Sequence, residues 1–473
     1  MIKLNKINLP LIKNVDTFPN YNIIKKNKYI IHFGVGKFHR AHQAFFIHEI
    51  LNLNNDYALI GVNIRTRNII DILKKQDYLY TLIEHSDNKR KIHIINSISE
   101  ILFGIDNKES IRQHICNSKN KVVTLTVTEK GYHYNNVTNS LDKTKEIIED
   151  FKDNNLSTVI AHLSYGLIER FKKTNETIHI LSCDNMPNNG NILKKVIKDF
   201  IFEINNESNY WFDEKVFFPN TMVDCIVPNT RSIPEGINLN YIDESVVICE
   251  PYRDWYIESN NLYLKSIFKH PRIKFVDDVS FYEDVKLKIL NASHSAIAYL
   301  GLLLDYTYVH EAILDKKINY FISEYLDQEV IPTLKIRDDF DILKYKNSII
   351  ERFKNSFLNH RLDQIATDGS LKIPIRIINT YLKKTKNKDY SFTETIIAAW
   401  IFFLKSRTLT GKKIEVNDTN LNILQDYLYL DKNKMIHGIL SIKKIFNIDE
   451  ITKNSLIRNI IKKYKNLEKG NIF

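Results

Sequence analysis

Cysteine is scarce in this 473-residue chain: Cys116, Cys183, Cys225 and Cys249 stand far apart, with no CxxC pair. That spacing argues against a disulfide framework or a structural zinc site and fits a reducing compartment. Long apolar runs are missing as well, and no stretch reaches the length of a membrane span. The opening "MIKLNKINLPLIK" interleaves lysine, asparagine and apolar residues too finely for a signal peptide. The expected setting is the cytoplasm, without a membrane partner. Internal repeats and low-complexity linkers are absent too.

Charge of one sign is in excess. A net charge of +11 and an isoelectric point near 9.1 make a basic nucleic-acid-binding protein the alternative from another functional class. The lysines are nevertheless spread among asparagines and isoleucines rather than gathered in a stripe, and no nucleic-acid partner is expected. The densest run, "KKTKNKDY" from Lys383 to Tyr390, reads as a solvated loop between helices.

Short β-like runs alternate with helical patterns in the first part of the chain: "YIIHFGV", a helix from about Ala41 to Leu53, "YALIGVNI", then "KVVTLTVTEKGY", "TIHILSCDN", "KVFFPNTMVDCIVP" and "SVVICEP". Strands separated by helices predict a parallel sheet covered on both faces. From about Tyr282 the stretches lengthen and take helical periodicity, as in "VKLKILNASHSAIAYLGLLLDY" and "ETIIAAWIFFLKSR". The fold expected is α/β: a Rossmann-like dinucleotide-binding domain over residues 1–280, then a mainly helical substrate domain over 281–473.

After the first strand comes "HFGVGKFHRAHQAFF". Gly34 and Gly36 have the spacing of a dinucleotide turn, but His39 stands where a third glycine would allow close helix packing. Taken alone, this is equally a glycine-rich turn with no ligand. A carboxylate commonly reads the ribose about 20 residues further on. Here the second strand is followed by Arg65, Thr66, Arg67 and Asn68, which would suit a 2′-phosphate or simply be a solvated loop.

The stretch "FYEDVKLKILNASHSAIAYLG" carries the most chemistry. At about 100° per residue, with Lys286 at zero, Glu283 falls near 60°, His294 near 80° and Asn291 near 140°. Lys288, near 200°, is expected to be solvated. A buried lysine whose pKa falls toward neutrality can act as a general base, and an asparagine can donate to a developing alkoxide. A buried Lys286–Glu283 ion pair beside a satisfied core histidine fits the same pattern.

Together, "GVGKFHRAHQ" and "KLKILNASH" resemble the long-chain mannitol dehydrogenases and fructuronate reductases, whose marks are a GxGxFHRAHQ opening and a Kx4NxSH helix. "TLTVTEKGY", "SCDNMPNNG", "FPNTMVDCIVP", "EPYRDW" and "ATDGSLKIP" follow in the family's order, so the resemblance spans nearly the whole chain. It implies metal-independent, reversible hydride transfer between NAD or NADP and a keto sugar or sugar acid, in a monomer or small homo-oligomer. It gives Lys286 the acid/base role, Asn185 and Asn291 donation to the substrate oxygen, His294 substrate orientation and Glu283 a proton path. Asp224 and Lys372 match substrate contacts, and Gly34, Gly36, Phe38, His39, Arg40, Arg65, Arg67 and Asn68 fall in the cofactor-binding segments. The chain departs from the pattern at Cys225, where arginine is usual, at Lys37, where a small residue is common, and in a short segment after Arg65.

Mannitol-type members carry arginine where this chain has Gln364. "NHRLDQIATDGSLKIPIR", with Arg361, Gln364 and Arg376, resembles the sugar-acid branch, and Arg253 in "EPYRDW" leans the same way. Arginine grips carboxylates bidentately. The expectation is therefore fructuronate reduction to mannonate, with mannitol 2-dehydrogenase activity as the alternative. An inactive family member would have been expected to lose some of Lys286, Asn185, Asn291 and His294.

Overall fold

In the computed structural model, consecutive residues of each strand in "KYIIHF", "YALIGVN" and "VVTL" enter different cores. Ile30, Leu59 and Val122 pack into one core, while Ile31, Ile60 and Val123 pack into the other. Side chains alternate across a strand, so a strand apolar at every position belongs to a sheet covered on both faces. The structure describes residues 1–473 except 24–25, 54–55, 87–88, 137, 154–155, 206–208, 229–232, 234–235, 384–389 and 447. Most of the lysine-rich run expected as a loop, residues 384–389, thus lies outside the described residues.

The chain divides into two units, Met1–Tyr282 and Glu283–Phe473. In the first, β1 (Lys28–Phe33), α1 (Lys37–Ala41), α2 (Gln43–Asn52), β2 (Tyr57–Asn63) and α3 (Asn68–Lys75) form the leading βαβα segment. There follow β3 (Tyr80–Ser86), β4 (Lys89–Ile95), β5 (Ile98–Phe103), α4 (Lys108–Cys116), β6 (Val122–Leu125), α5 (Val159–Lys173), β7 (Ile178–Ser182), α6 (Asn189–Ile204) and β8 (Val216–Phe217). The main sheet has the order β8-β7-β6-β1-β2-β5, and all its pairs are parallel. The chain builds outward from β1 through β2 to β5, then returns to place β6 on the other side of β1. That reversal between β1 and β6 is where an open α/β sheet leaves a crevice at its carboxyl edge.

Among the described residues, two three-stranded and two two-stranded sheets complete the unit. β3 pairs antiparallel with β4 and parallel with β10 (Val247–Cys249). β9 (Thr221–Asp224) runs antiparallel to β11 (Asp254–Glu258), which pairs in parallel with β12 (Ile273–Val276). The helix expected from Ala41 starts earlier, at Lys37, and breaks at His42 (φ −118°, ψ −86°), whose ring Nε2 donates to the Asp254 carbonyl at 3.0 Å.

From Ser280 the chain is α7 (Ser280–Val285), a π-turn over Lys286–Asn291 and α8 (Ala292–Leu303). Among the described residues the second unit contains named elements of helical type only, with Tyr325–Val330 and Pro374–Ile378 as further π-turns packed against the first. α9 (Ser391–Phe403), buried on nearly every side, is covered by α10 (Glu450–Glu468). A helix without a polar face has to be central.

Candidate active site

The turn after β1 is set by its neighbour β6. Gly34 has φ +94°, a conformation that side chains disfavour, and a Cβ there would lie 2.1 Å from the Thr126 carbonyl oxygen. Thr126 closes the contact by donating from N to the Phe33 carbonyl (2.9 Å) and from Oγ1 to the Gly34 carbonyl (2.8 Å). At Gly36, by contrast, a Cβ would meet nothing nearer than the Gly34 oxygen at 4.0 Å, so the backbone is bare toward open space.

These residues line a cavity of about 450 Å³ at the carboxyl edge of the main sheet. Gly34, Gly36, Arg40 and Arg65 of the expected cofactor residues line it. Phe38, His39, Arg67 and Asn68 do not, for separable reasons. His39 is buried and stacked on His32 with ring centroids 3.4 Å apart, and burial first, then His32, Arg40 and His42, push its pKa far below the usual value. His39 thus fills the packing position of the missing glycine instead of facing a ligand. Phe38 stacks on His42. Arg67 is paired with Asp106 and lies over the Phe103 ring, and Asn68 begins α3.

Sequence reasoning missed Asn63 and the β6–α5 connection. Asn63 ends β2 and lines the cavity, and its Oδ1 accepts from the Val35 N–H at 2.7 Å. Thr128, with φ +68°, and His133, with φ +47°, line the cavity from strained backbone. Asp184 fastens this loop: it accepts from the Val127 and Thr128 amides (3.0 and 2.8 Å) and from the Tyr132 hydroxyl (2.9 Å). No spacing rule marks such residues; only "TVTEKGY" as a block did.

Beyond the cavity, Asn185 is exposed just past the carboxyl end of β7. Asp224 ends β9, buried, with Asp254 opposite it in register. Cys225, a residue further on, donates its thiol to the Ile226 carbonyl at 3.9 Å, and burial first, then the neighbouring Cys249, raises its pKa well above normal; all four cysteines are free. Arg253 is placed differently from the substrate contact expected of it. Its guanidinium pairs with Glu84, donates to the Ala41 carbonyl (3.0 Å) and Cys249 Sγ (3.3 Å), and lies 3.8 Å from the Phe45 ring centroid. A side chain 2% exposed with those partners holds the fold together.

In the second unit the π-turn between Lys286 and Asn291 overturns the regular 100° count. Lys286, Asn291 and His294 are all buried, and Glu283 is half-buried. Lys288, expected in solvent, is buried: its side chain is 2% exposed and bonded to Asp284 at 2.8 Å, with burial drawing its pKa down to about 8. The wide turn brings it inward. His294 Nε2 is buried without a protein hydrogen-bond partner. Its imidazole is held neutral by burial above all, then by His360, Arg376, Arg352 and Lys372.

Two of those neighbours are expected site residues or close to them. Arg376 donates to the Asn291 carbonyl (3.3 Å) and Ser295 Oγ (3.1 Å), and Lys372 Nζ donates to the Ile365 carbonyl (3.1 Å). His360, which sequence reasoning passed over, stands edge-on to His294 with centroids 5.1 Å apart. Arg361 forks onto Asp363 at the surface, and Gln364 is exposed. A neutral imidazole and a buried lysine on one helix can orient a hydroxyl and exchange a proton with it.

Comparison with known proteins covers both units. Residues 28–268 match the mannitol dehydrogenase Rossmann domain, and residues 278–468 match the mannitol dehydrogenase C-terminal domain. The chain is 34% identical to a mannitol 2-dehydrogenase of Emericella nidulans, covering 95% of this chain and 93% of that protein. It is 30% identical to mannitol dehydrogenase DSF1 of Saccharomyces cerevisiae, covering 94% and 91%. The Pseudomonas fluorescens mannitol 2-dehydrogenase, solved as a ternary complex with NAD and D-mannitol, superposes with a TM-score of 0.91 at 28% identity, covering 100% of this chain and 98% of that one. Through both of its units the chain belongs to the mannitol dehydrogenase family of oxidoreductases.

Proposed function

We propose that the protein interconverts a ketose and its polyol at a secondary alcohol carbon, as a mannitol 2-dehydrogenase acting on fructose and mannitol. The observation that carries this choice over fructuronate is the engagement of the two arginines a sugar acid would need: Arg253 is bonded within the fold and Arg361 is bonded to Asp363. The relatives named for mannitol 2-dehydrogenase support the same reading. Arg376, whose guanidinium also has neighbours of its own, keeps fructuronate as the second substrate to test.

The first unit's cavity suits a nicotinamide dinucleotide. Its volume is that of an ordinary ligand pocket, Gly36 leaves backbone uncovered beside it, and Arg65 and Lys37 bring positive charge to its lining. A dinucleotide bound there supplies or accepts the hydride.

The remaining work falls to this chain's side chains. As negative charge grows on the substrate oxygen, the Lys286 ammonium gives it a proton, and in the alcohol-oxidising direction the amine takes one back. The Asn185 and Asn291 amides donate to the same oxygen, and each well-placed donor contributes about 3 kcal/mol to lowering the barrier. His294, neutral and with Nε2 uncommitted in the fold, bonds a neighbouring hydroxyl. Asp224, Lys372 and Gln364 are assigned substrate contacts, and Glu283 a proton path to solvent.

The test is coenzyme absorbance with fructose, fructuronate and tagaturonate, chelator present. The expected result is turnover of fructose well above that of either sugar acid. Fructuronate turned over faster than fructose would overturn the substrate choice, and no turnover of any of them would overturn the catalytic reading.

A further inference from the structure

The cavity's lining also bears on which dinucleotide it holds. A bound NAD presents a vicinal diol at its adenosine ribose, which a carboxylate at the end of the second strand accepts; NADP presents a phosphate dianion there, which a carboxylate repels and arginine attracts. At this edge β2 ends in Asn63, whose amide oxygen is committed to the Val35 N–H. Among the described residues lining the cavity there is no aspartate or glutamate, whereas Lys37, Arg40 and Arg65 all line it. The nearby acids stand behind the lining: Asp106 is paired with Arg67, Asp71 sits exposed on α3, Asp184 is taken up by the Val127 and Thr128 amides, and Glu146 lies 3.8 Å from His133.

Resting on the proposal that this cavity takes a nicotinamide dinucleotide, we infer that it prefers the 2′-phosphorylated form, with Arg65 as the residue that selects it. Of the two arginines in "RTRN", only Arg65 faces the cavity; Arg67 is occupied by Asp106 and Phe103. Arg40 is committed within the fold to the Ser245 carbonyl, which leaves Arg65, exposed at the rim, as the guanidinium able to fork onto a phosphate. Lys37, lowered by burial and then by Arg40, lines the cavity beside Arg65. The 2′-phosphate brings more negative charge to these cations than the pyrophosphate alone.

The experiment is a fluorescence titration of the full-length protein with NADPH and with NADH, without sugar. NADPH is expected to bind at least about tenfold more tightly, the factor a charge-assisted pair supplies, and the gap should shrink as salt is raised. Arg65→Glu should cost NADPH about tenfold or more while leaving NADH within about threefold. Arg65→Lys should keep most of the preference, so misfolding of the glutamate variant would not conceal the answer. NADH binding as tightly as NADPH, or a preference untouched by Arg65→Ala, would overturn the inference while leaving the oxidoreductase reading intact. Failure of both dinucleotides to bind would instead remove the nucleotide cavity and everything resting on it.

Discussion

At Arg253, Glu84 takes one arm of the guanidinium, Ala41 takes Nε and the Phe45 ring covers its plane. Burial pushes the Glu84 carboxyl up, but His93 and Arg253 outweigh that and hold it at about 2. Arg253→Ala would therefore strand a buried carboxylate, and breaking such a pair from one side costs about 3–5 kcal/mol. Urea unfolding should show that loss, and the fraction that stays folded should turn over fructose and fructuronate in the wild-type ratio; a selective loss of fructuronate would restore the carboxylate-gripping role. Lys286→Ala should behave in the opposite way, with stability near wild type and turnover lowered at least about 100-fold, the usual range for lost acid/base catalysis. Near-normal turnover would remove the lysine from the mechanism. Residue type alone could not separate these two cations. The partners that hold Arg253 could not be read there, because they are contributed by segments as distant in sequence as Ala41 and Arg253.

Elements show where pattern reading ends. The strands "KYIIHF" and "YALIGVN" were legible because a two-sided sheet imposes a simple apolar run, and the helical length of the second unit was legible from its periodicity. The π-turn at Lys286–Asn291 was not, since one extra residue per turn leaves no compositional trace; it alone misplaced Lys288. The lysine, asparagine and histidine of "KLKILNASH" are all buried, and their grouping as a site rests on family resemblance more than on angle. Nor could spacing reveal Glu329, which sits in another π-turn and accepts from the Phe392 and Thr393 amides (both 2.8 Å), satisfying the amino end of α9. Burial lifts its pKa from 4.5 to about 7. An acid whose folded pKa is raised binds protons more readily folded than unfolded, so its contribution to stability falls as pH rises from about 4.5 to 7. Glu329→Gln should be free of that term. Relative to wild type, the variant should gain up to about 3 kcal/mol between pH 5 and pH 8 in paired urea titrations; a pH-independent difference would show the carboxylate to be ionised throughout.

Over the whole molecule, the division of labour gives a way to separate binding from chemistry. Every described residue lining the dinucleotide cavity lies between Gly34 and Val159, within the first unit, whereas Lys286 begins the π-turn of the second. A ligand that binds only the folded protein stabilises it by mass action, by about 2.7 kcal/mol at a hundredfold excess over its dissociation constant. The stabilisation depends on the cavity and not on turnover. Lys286→Ala should therefore keep the full rise in Tm on adding coenzyme while losing activity. Gly34→Ala should lose the rise: its Cβ has no room against the Thr126 carbonyl and its φ of +94° disfavours any side chain, so the turn must shift away from the geometry that shapes the cavity. Thermal scans of both variants with and without coenzyme decide it. If the lysine variant lost the shift and the glycine variant kept it, the assignment of binding to the first unit's turn and of proton transfer to the second unit's helix would have to be abandoned.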